Sequence, residues 1–369
     1  MSFNINKFRT LSYIFKNIYN NSSSNTPNKY NRLIYIVESV DWSIKWDGQY
    51  ITDNLNTAGL MHAMISHTHI GVRNQIIHFG SFNTFFHNNG FKKPHRSNKV
   101  IVTCFHLVDD DPRLKFIREA EDHIDFFHTS CTISKNKLID LGVKSEKIVV
   151  IPLGVDLSLF KPFSNEQRQA MKTTLGIPND YLVIGSFQKD GNGWGEGLEP
   201  KLIKGPDLFV KVVSEIAKKR KVHCLLTGPA RGYVKKRLDA AGISYTHNYL
   251  KNYQEIVSYY NCLDLYLITS REEGGPKALI ESMATGTPVL STKCGMSLDI
   301  ILDGNNGFLI DTDELQKIID YIELLSCDHL SRKRIVDNAL KTVRKYNWNF
   351  IAKQYAELYK MVTNDTISQ

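Results

Sequence analysis

The sequence predicts an α/β protein built from two doubly wound parallel sheets, one after the other along the chain. Two observations predict this fold class. Short apolar runs alternate with helical stretches, and the alternation stops at a segment from Pro152 to Gln169 and then starts again. The chain also has 369 residues, which suffices for two domains of about 100–200 residues, each with its own core. Because ligands bind at the carboxyl ends of such strands, we expect the site in a cleft between two facing sheets.

The first half contains five apolar runs that predict buried strands. A helix is predicted after the first run, over "QYITDNLNTAGLMHAMISH", and a loop that contains Gly48 precedes it. The strands are "RLIYIVE", "NQIIHFGS", "KVIVTCFH", "IDFFHTSCTIS" and "KIVVIPLG".

The second half repeats the pattern. Its predicted helices are "PDLFVKVVSEIAKKRK", "YQEIVSYYNCL", "PKALIESMAT" and the basic stretch "DHLSRKRIVDNALKTVRKY". Its predicted strands are "DYLVIGSFQ", "VHCLLTG", "DLYLITS", "TPVLST" and "GFLI". We therefore place a first domain at residues 32–165 and a second domain at residues 166–345.

Residues 1–31 are predicted to form a polar N-terminal tail, because "NNSSSNTPNKYN" is polar and low in complexity. The apolar patch "LSYIF" before it is too short for a signal peptide and is broken by Lys16 and Asn17. No run approaches the roughly 20 apolar residues of a transmembrane helix. Six dispersed cysteines without a CxxC pair are typical of reduced thiols, so we expect a cytoplasmic protein.

The net charge of +8 is spread evenly along the chain. Residues 1–160 carry 18 basic and 14 acidic residues, and the remainder carries 28 and 24. A nucleic-acid-binding protein more often has one basic stripe or domain, so no nucleic-acid partner is expected. An even excess fits a protein that handles anionic small molecules or contacts an anionic surface. The stretch "FNTFFHNNGFKK" could accordingly contact a membrane or a polymer, or equally form a packed loop.

The stretch "REEGGPKALIESMATGTPVL" contains two glutamates, Glu273 and Glu281, around a predicted helix start. Pro276 suits the first position of a helix, and Gly286 suits its end. The unpaired N–H groups of residues 274–277 could accept an anion, and the glycines allow a ligand to come close. The alternative is an ordinary helix start, with Glu273 complementing the helix dipole.

The segment "GSFQKDGNGWGEGLEPKLIKGPD" is a glycine-rich connection between a strand and a helix. Lys189 and Lys204 bracket it, and Lys201 lies near its end. Two lysines and a helix start can neutralise a diphosphate. The segment matches neither GxxxxGK[ST] nor GxGxxG. A long solvated surface loop is the alternative interpretation.

His106 ends a predicted strand, in "TCFHLVDDDPR", where residues of a binding cleft are found. The acidic run Asp109–Asp111 could bind a metal ion. Helix capping, with Pro112 in the first turn, is the favoured interpretation of that run.

Together these segments resemble the family four glycosyltransferases of the GT-B fold. "EGGPKALIE" matches the E-x7-E motif of that family, and "GTPVLST" with "DIILDGNNGFLI" resembles the strand and loop that follow it. "ISKNKLIDLGVKSEKIVVIPLGVDLSLFKP" resembles the interdomain linker. "YNWNFIAKQYAELYK" resembles the C-terminal helix, so residues 346–362 should return to complete the first domain. The resemblance spans Arg32 to Lys360.

The resemblance implies a role for each matching position. Glu281 should hold the ribose hydroxyls of a nucleotide-sugar donor, and Glu273 should contact the donor sugar beside its anomeric carbon. Lys204 matches the phosphate-binding lysine. "SFQK" takes the place of the family's arginine, which assigns Ser186 and Lys189 to the donor. The sugar hydroxyls and distal phosphate should meet the backbone of the helix start, namely Gly274, Gly275, Pro276 and Lys277.

Two residues of the first domain complete the expected site. Gly48 matches the glycine that lets the pyrophosphate approach, although the usual second glycine is replaced by Asp47. His106 matches the histidine that reaches the donor sugar. The implied reaction is a retaining transfer from a UDP- or GDP-sugar to a glycan, lipid-linked or other hydroxyl acceptor, without a metal or cofactor, with Glu273, His106 and Lys204 in catalytic roles. A nucleotide-sugar epimerase and a non-enzymatic binding protein remain as alternatives.

Overall fold

The computed structural model describes residues 5–22, 30–38 and 43–364, which form two compact units. The first unit contains the chain up to Leu153 and again from Trp348, and the second comprises Gly154–Asn347. Each unit contains a six-stranded sheet in which every strand pair is parallel. The predicted fold class, two Rossmann-like parallel-sheet domains, is therefore confirmed.

The first unit contains the helices α1 (Ile5–Ser22), α2 (Ser43–Thr57), α3 (Phe82–Phe85), α4 (Ile117–Ala120), α5 (Thr132–Asp140) and, at the end of the chain, α14 (Trp348–Asn364). Its strands are β1 (Arg32–Ile36), β2 (His62–Ser66), β3 (Ile76–Phe79), β4 (Phe86–His87), β5 (Gly90–Phe91), β6 (Lys99–Thr103), β7 (Phe126–Thr129) and β8 (Ile148–Val150). Short 3₁₀ helices lie at Leu114–Phe116, Glu121–His123 and Ser145–Lys147.

The second unit contains the helices α6 (Asn165–Thr174), α7 (Pro206–Ala217), α8 (Gly232–Ala240), α9 (Ile256–Asn261), α10 (Lys277–Ala284), α11 (Ser297–Ile300), α12 (Leu315–Cys327) and α13 (His329–Val343). Its strands are β9 (Leu182–Phe187), β10 (Val222–Thr227), β11 (Ser244–Asn248), β12 (Leu265–Ile268), β13 (Val289–Thr292) and β14 (Phe308–Ile310). Further 3₁₀ helices lie at Leu202–Lys204, Tyr253–Glu255 and Arg344–Tyr346.

The strand orders show where each sheet leaves room for a ligand. The second unit has the order β11-β10-β9-β12-β13-β14, so the direction of winding reverses between β9 and β12. The first unit has the order β2-β1-β3-β6-β7-β8 and reverses between β1 and β3, while β4 and β5 form a separate antiparallel pair. Connections leave the carboxyl ends of the strands in opposite directions at such a reversal and open a crevice there.

Helix α14 packs within the first unit. The ring of Trp348 at its start stacks on Tyr50 of α2, with 5.3 Å between ring centroids. Further along, the hydroxyl of Tyr359 lies 2.8 Å from Nδ1 of the buried His78 in β3. The other ring nitrogen of His78 is 2.8 Å from Oγ1 of Thr103. The end of the chain is thus fixed to the sheet by both apolar packing and buried hydrogen bonds.

Part of the predicted polar tail at residues 1–31 is helical, because Ile5–Ser22 form α1, whereas residues 1–4 and 23–29 of that prediction lie outside the described residues. The apolar patch looked broken by Lys16 and Asn17 in the linear sequence. On a helix, neighbouring residues point to different faces, so these two do not interrupt an apolar face. The structure also moves the domain boundary from residue 165 to Leu153, and the boundary before the last helix from residue 345 to Asn347.

The helix predicted over "QYITDNLNTAGLMHAMISH" is too long. Helix α2 ends at Thr57, and "HAMIS" forms β2 instead. Gly59 follows in the left-handed conformation (φ +62°), and the N–H of Leu60 reaches back to the carbonyl of Leu55. A glycine in this position ends a helix, and its signal was overlooked in an apolar stretch. The sequence interpretation also missed β11 and α12.

Candidate functional site

The candidate site of the second unit lies where β9 and β12 end side by side, at the reversal in strand order. The segment after β9 carries Lys189, and the segment after β12 carries Glu273. Two separate chain segments therefore bring the residues of the sequence motifs to one edge of the sheet. Helix α10 starts directly after the second segment.

An ion pair between Lys204 and Glu273 joins these segments. Nζ of Lys204 lies 2.6 Å from Oε1 of Glu273, and both side chains are mostly buried. The hydroxyl of Ser270 donates a second hydrogen bond to the same oxygen, at 2.9 Å. Charge-assisted hydrogen bonds of this kind hold a carboxylate in one orientation. The structure thus brings together two residues that the motifs assign to donor binding.

The turn that presents Lys204 is fixed by close backbone packing. Gly205, at the end of the 3₁₀ turn, has φ +63°, and a Cβ atom there would lie 1.9 Å from the carbonyl oxygen of Thr269. Nε2 of Gln188 donates to the carbonyl of Lys204 at 3.0 Å, and the N–H of Arg271 donates to Ile203 at 2.8 Å. Only glycine fits this contact, which explains the "KG" that follows the loop.

The base of the glycine-rich segment is packed, whereas its tip at residues 192–196 is exposed, so the alternative of a solvated surface loop holds only for that tip. Its two arms pair through the backbone, from Asn192 to Glu199 at 2.9 Å and from Lys201 to Asp190 at 2.7 Å. A Cβ atom on Gly191 or Gly197 would lie 2.3 or 2.2 Å from the carbonyl oxygen of Ala230. The glycines are therefore present because the segment lies against the backbone after β10.

A buried ion pair anchors the same segment. Nε of Arg231 lies 3.1 Å from Oδ1 of Asp190, and neither side chain is exposed. Nη1 of Arg231 also donates to the carbonyl oxygens of Ser186, Gln188 and Thr227, at 2.7, 2.8 and 3.0 Å. Burial raises the pKa of Asp190, and the guanidinium charge opposes this shift. The sequence interpretation did not single out this pair, because neither residue belongs to a recognisable motif.

Ser186, assigned to the donor, lies inside β9 and is buried. Its hydroxyl accepts a hydrogen bond from Nη2 of Arg231 at 3.1 Å. The structure therefore gives Ser186 a place in the anchor of the glycine-rich segment.

Three lysines concentrate positive charge at this edge. Burial lowers the pKa of Lys201, and the charges of Lys204 and then Lys189 lower it further. The ammonium group of Lys189 lies 4.3 Å from the ring centroid of Trp194, on the same glycine-rich segment. Mutual repulsion between lysines means that an anion placed among them would be attracted by all three. Lys201 was noted in the sequence only as a neighbour, whereas the structure makes it a member of the cluster.

The start of α10 presents backbone groups without a capping side chain. Pro276 precedes the helix with φ −68° and ψ 97° and makes no side-chain capping bond. A Cβ atom on Gly295 would lie 2.7 Å from the carbonyl oxygens of Glu273 and Gly274, so the loop after β13 packs under this turn. The side chain of Lys277 lies over the ring of Tyr253, at 5.0 Å from the centroid. This helix start has the geometry that suits an anion.

Glu281 occupies the second turn of α10 and is buried. The hydroxyl of Tyr260 donates to Oε2 of Glu281 at 2.8 Å, and the hydroxyl of Tyr253 donates to Oε1. A carboxylate offers about four lone-pair positions, so it can accept further hydrogen bonds. The two tyrosines were missed, since they lie 28 and 21 residues from Glu281 in the chain.

The two site residues expected from the first half belong to the first unit. Gly48 lies inside α2 and not in a loop, which corrects the sequence interpretation. A Cβ atom there would lie 2.9 Å from both Tyr35 and Val37, so glycine lets α2 pack closely on β1. His106 is exposed and follows the end of β6, as predicted.

Asp111, the last residue of the acidic run after His106, caps the turn that leads into the 3₁₀ helix at Leu114, because its Oδ1 accepts the backbone N–H of Arg113 at 3.0 Å. Asp111 forms an ion pair with Arg113 at 2.5 Å, which lowers the pKa of this carboxyl, and Asp109 pairs with Lys137 at 2.6 Å. Arg113, which directly precedes that 3₁₀ helix, adds no side-chain capping bond of its own. Within residues 5–22, 30–38 and 43–364, no cluster of three or more His, Cys, Asp or Glu side chains could hold a metal ion.

The phenylalanines of "FNTFFHNNGFKK" are buried against one another, so the alternative of a packed loop is correct. The rings of Phe82 and Phe86 stack at 4.4 Å between centroids, and Phe85 contacts Phe86 edge-on at 5.0 Å. These side chains therefore belong to the core of the first unit and are not available to a membrane.

Comparison with known proteins relates the second unit to a family. Residues 198–342 match the sequence profile of the family described as Glycosyl transferases group 1. This part of the second unit is therefore similar to the group 1 glycosyl transferases. The resemblance to the family four glycosyltransferases that the motifs indicate is thereby confirmed. The matched segment includes the glycine-rich segment from Leu198 onward, Lys204, Glu273 and all of α10.

Curated relatives of the chain include bacterial enzymes named D-inositol 3-phosphate glycosyltransferase. That of Corynebacterium urealyticum is 26% identical over 236 residues, covering 60% of this chain and 53% of the relative. That of Corynebacterium efficiens is 24% identical over 280 residues, covering 72% of this chain and 64% of the relative. The chain thus spans between about half and two thirds of the length of these relatives.

Solved glycosyltransferase structures share the fold over 89–91% of this chain. Anabaena HepE in complex with UDP-glucose superposes with a TM-score of 0.71 at 18% identity, covering 89% of this chain and 99% of that one. A glycosyltransferase from Rickettsia africae gives a TM-score of 0.70 at 16% identity, with 91% and 99% covered. These similarities confirm the GT-B fold. None of the helices in the described ranges has the length and apolar character needed to cross a bilayer.

Proposed function

We propose that the protein is a retaining glycosyltransferase that moves a sugar from a nucleotide diphosphate sugar to a hydroxyl group of a glycan, a lipid-linked acceptor or a related molecule. The observation that carries this proposal is the pairing of Lys204 with Glu273 in front of α10, within the segment that is similar to the group 1 glycosyl transferases. Donor use is also supported by analogy, since HepE is described in complex with UDP-glucose. The free thiols, five of them buried, support a cytoplasmic site of action.

The diphosphate of the donor fits the charge distribution of the site. Lys189, Lys201 and Lys204 supply positive charge, and the start of α10 adds backbone dipoles. Negative charge grows on the diphosphate as the bond to the sugar breaks. Cations and dipoles already fixed at that position stabilise the transition state without rearranging. We therefore assign the departure of the leaving group to these residues.

The proposal places charge neutralisation on protein cations and requires no metal ion. Lysine is an established phosphate partner in proteins, and a lysine cluster with a helix start supplies the same electrostatic stabilisation. Adding EDTA should leave transfer activity unchanged. A loss of activity that Mg²⁺ or Mn²⁺ restores would overturn this part of the proposal and leave the transferase assignment intact.

Glu273 is assigned to the donor sugar beside its anomeric carbon and not to covalent catalysis. Its Oε1 already accepts from Lys204 and Ser270, which stabilises the carboxylate and lowers its nucleophilicity. We propose that the acceptor oxygen attacks the face from which the diphosphate leaves, through an ion-pair-like state. A glycosyl–Glu273 adduct trapped and found by mass spectrometry would contradict this route.

Two experiments test the function. Calorimetry with UDP and GDP should give saturable binding of one of them, and binding of neither would favour a non-enzymatic protein. Incubation with the matching nucleotide sugar, labelled in the sugar, should release nucleotide diphosphate and leave the label on an acceptor in the original anomeric configuration. Conversion of the donor to an epimer without release of the nucleotide would favour the epimerase alternative.

A further inference from the structure

Helix α1 buries a polar side chain and exposes large apolar ones, which is the reverse of an ordinary surface helix. The polar side chain of Asn17 is buried, at 3% exposure, and its Nδ2 donates to the carbonyl oxygens of Thr68 and Ile70 at 3.2 and 3.0 Å. Large apolar side chains of the same helix are exposed, with Phe15 at 69% and Tyr19 at 72%. An amphipathic helix on a soluble protein normally buries its apolar face. Here the packing against the first unit turns that face outward.

The exposed apolar side chains share one side of the helix. Leu11, Phe15 and Ile18 follow at intervals of four and three residues, and Tyr19 adjoins them. These intervals place side chains on one face. Ile70, half exposed, lies in the loop to which Asn17 is bonded. We call Leu11, Phe15, Ile18, Tyr19 and Ile70 the outer stripe.

The orientation of α1 is fixed by contacts on its opposite side. The ring of Tyr13 meets His67 edge-on, with 4.9 Å between centroids. A Cβ atom on Gly71 would lie 3.4 Å from the carbonyl oxygen of Ile14 and 3.6 Å from Cβ of Asn17, so the loop after β2 approaches the helix closely. Together with the two hydrogen bonds of Asn17, these contacts leave the outer stripe as the surface that faces away from the sheet.

The net charge of the N-terminal residues indicates which kind of surface the outer stripe would bind. The first 37 residues contain no acidic residue, and α1 itself contains Lys7, Arg9 and Lys16. A second copy of this chain would bring the same positive charges face to face, which disfavours a symmetric pairing. An anionic lipid surface instead offers apolar depth for the stripe and negative headgroups for the bases.

We infer that α1 lies on an anionic lipid bilayer, with the outer stripe at the boundary between headgroups and acyl chains and with the exposed Lys16 among the headgroups. An exposed apolar face flanked by lysine or arginine on a helix that lies in the interface is the physical basis of such binding. This inference stands independently of the proposed transferase function, because it concerns binding alone.

The test is sedimentation with vesicles of phosphatidylcholine alone or mixed with phosphatidylglycerol. The full chain should bind the mixed vesicles at least about fivefold more strongly than the neutral ones, since each lysine near an anionic surface contributes about that factor. The double variant Leu11→Ser/Phe15→Ser should lose at least tenfold in partitioning. The matched control Leu330→Ser/Phe350→Ser, also at exposed positions (82% and 54%), should bind like the unaltered chain.

A second variant separates lipid binding from a folding defect. Lys16→Glu should lower binding to the anionic vesicles about fivefold or more. Its control, Lys333→Glu, changes an exposed lysine of α13. Equal urea midpoints would show that the variants are folded. The inference is overturned if the unaltered chain fails to bind, binds neutral vesicles equally well, or binds like Leu11→Ser/Phe15→Ser. It is also overturned if light scattering shows a dimer that this double variant dissociates, because the stripe would then pair two copies.

Discussion

Nζ of Lys204 and Oε1 of Glu273 lie 2.6 Å apart, although 69 residues separate them in the chain. The pair closes the crevice edge between the turn before α7 and the segment after β12. An arriving diphosphate would offer Lys204 a second anionic partner, while Ser270 would continue to hold Glu273. Donor binding should therefore loosen or share an interaction that already exists, and substitutions of the pair should affect both binding and stability.

Replacing Lys204 by Ala should weaken binding of the donor nucleotide about 10- to 100-fold, the range for loss of one charge-assisted hydrogen bond. Calorimetry with the nucleotide diphosphate measures this. Lys218→Ala, at the far end of α7, is the matched control, since Lys218 forms its ion pair with Glu215 at the surface. Unchanged nucleotide affinity in Lys204→Ala would refute the assignment of Lys204 to the phosphates.

Loss of Lys204 should also destabilise the second unit, because Glu273 would remain buried with its charge and one hydrogen bond fewer. Breaking a buried pair costs about 3–5 kcal/mol, and less where some exposure remains, as here. The double variant Lys204→Ala/Glu273→Gln should recover part of this loss in urea unfolding.

The role of Glu281 can be tested with nucleotides that lack the ribose hydroxyls. In the unaltered protein, 2′,3′-dideoxy-UDP or the corresponding GDP analogue should bind more weakly than the natural nucleotide. Glu281→Gln should weaken the natural nucleotide about tenfold or more, the effect of losing a charged hydrogen-bond acceptor. The same substitution should change the affinity of the dideoxy analogue much less. Equal losses for both ligands would mean that Glu281 acts only by holding Tyr253 and Tyr260 in place.

Gly205 and Gly242 offer a matched pair of substitutions. Their φ angles are +63° and +64°, but a Cβ atom on Gly205 would lie 1.9 Å from a carbonyl oxygen, whereas nothing lies within 4 Å at Gly242. Gly242→Ala should cost about 1 kcal/mol through backbone strain alone. Gly205→Ala should cost about 1–3 kcal/mol more through the clash and should weaken nucleotide binding. Similar unfolding free energies for the two variants would show that the turn before α7 relaxes freely.

Lys201 should make nucleotide binding depend on pH in the alkaline range. Burial and the charges of Lys204 and Lys189 lower the pKa of Lys201, so it loses its proton below the usual lysine value of about 10.4. A bound diphosphate favours the charged form and raises that pKa. Affinity should therefore be greatest below the pKa of the unliganded protein and fall as pH rises through it. Lys201→Gln should weaken binding at neutral pH and remove this dependence, and an unchanged pH profile would place Lys201 outside the site.

Much of the fold could be predicted because periodicity and turn signals are local. The strands β1, β3, β6 and β9 stand at the predicted apolar runs, and α7 starts at Pro206 as expected. The prediction failed where two local signals in the sequence pointed to different structures. Gly59 ends α2 inside an apolar stretch that looks like one continuous helix. Lys16 and Asn17 interrupt the apolar residues of α1 in the linear sequence, so this helix was not predicted. Lys204 and Glu273 could be predicted as site residues because each stands at a recognisable place in a sequence motif. The structure brings their side chains into contact.

The sequence by itself determined two doubly wound parallel sheets, a resemblance to a family, and the chemical types at one edge of the second sheet. Tertiary structure alone decided the partners: Tyr253 and Tyr260 on Glu281, Arg231 on Asp190, and the exposure of Phe15 beside a buried Asn17. The physical reason is the distance along the chain over which each kind of interaction acts. Secondary structure follows from neighbours within a few residues, whereas burial and hydrogen bonding of a side chain depend on segments that only folding brings together.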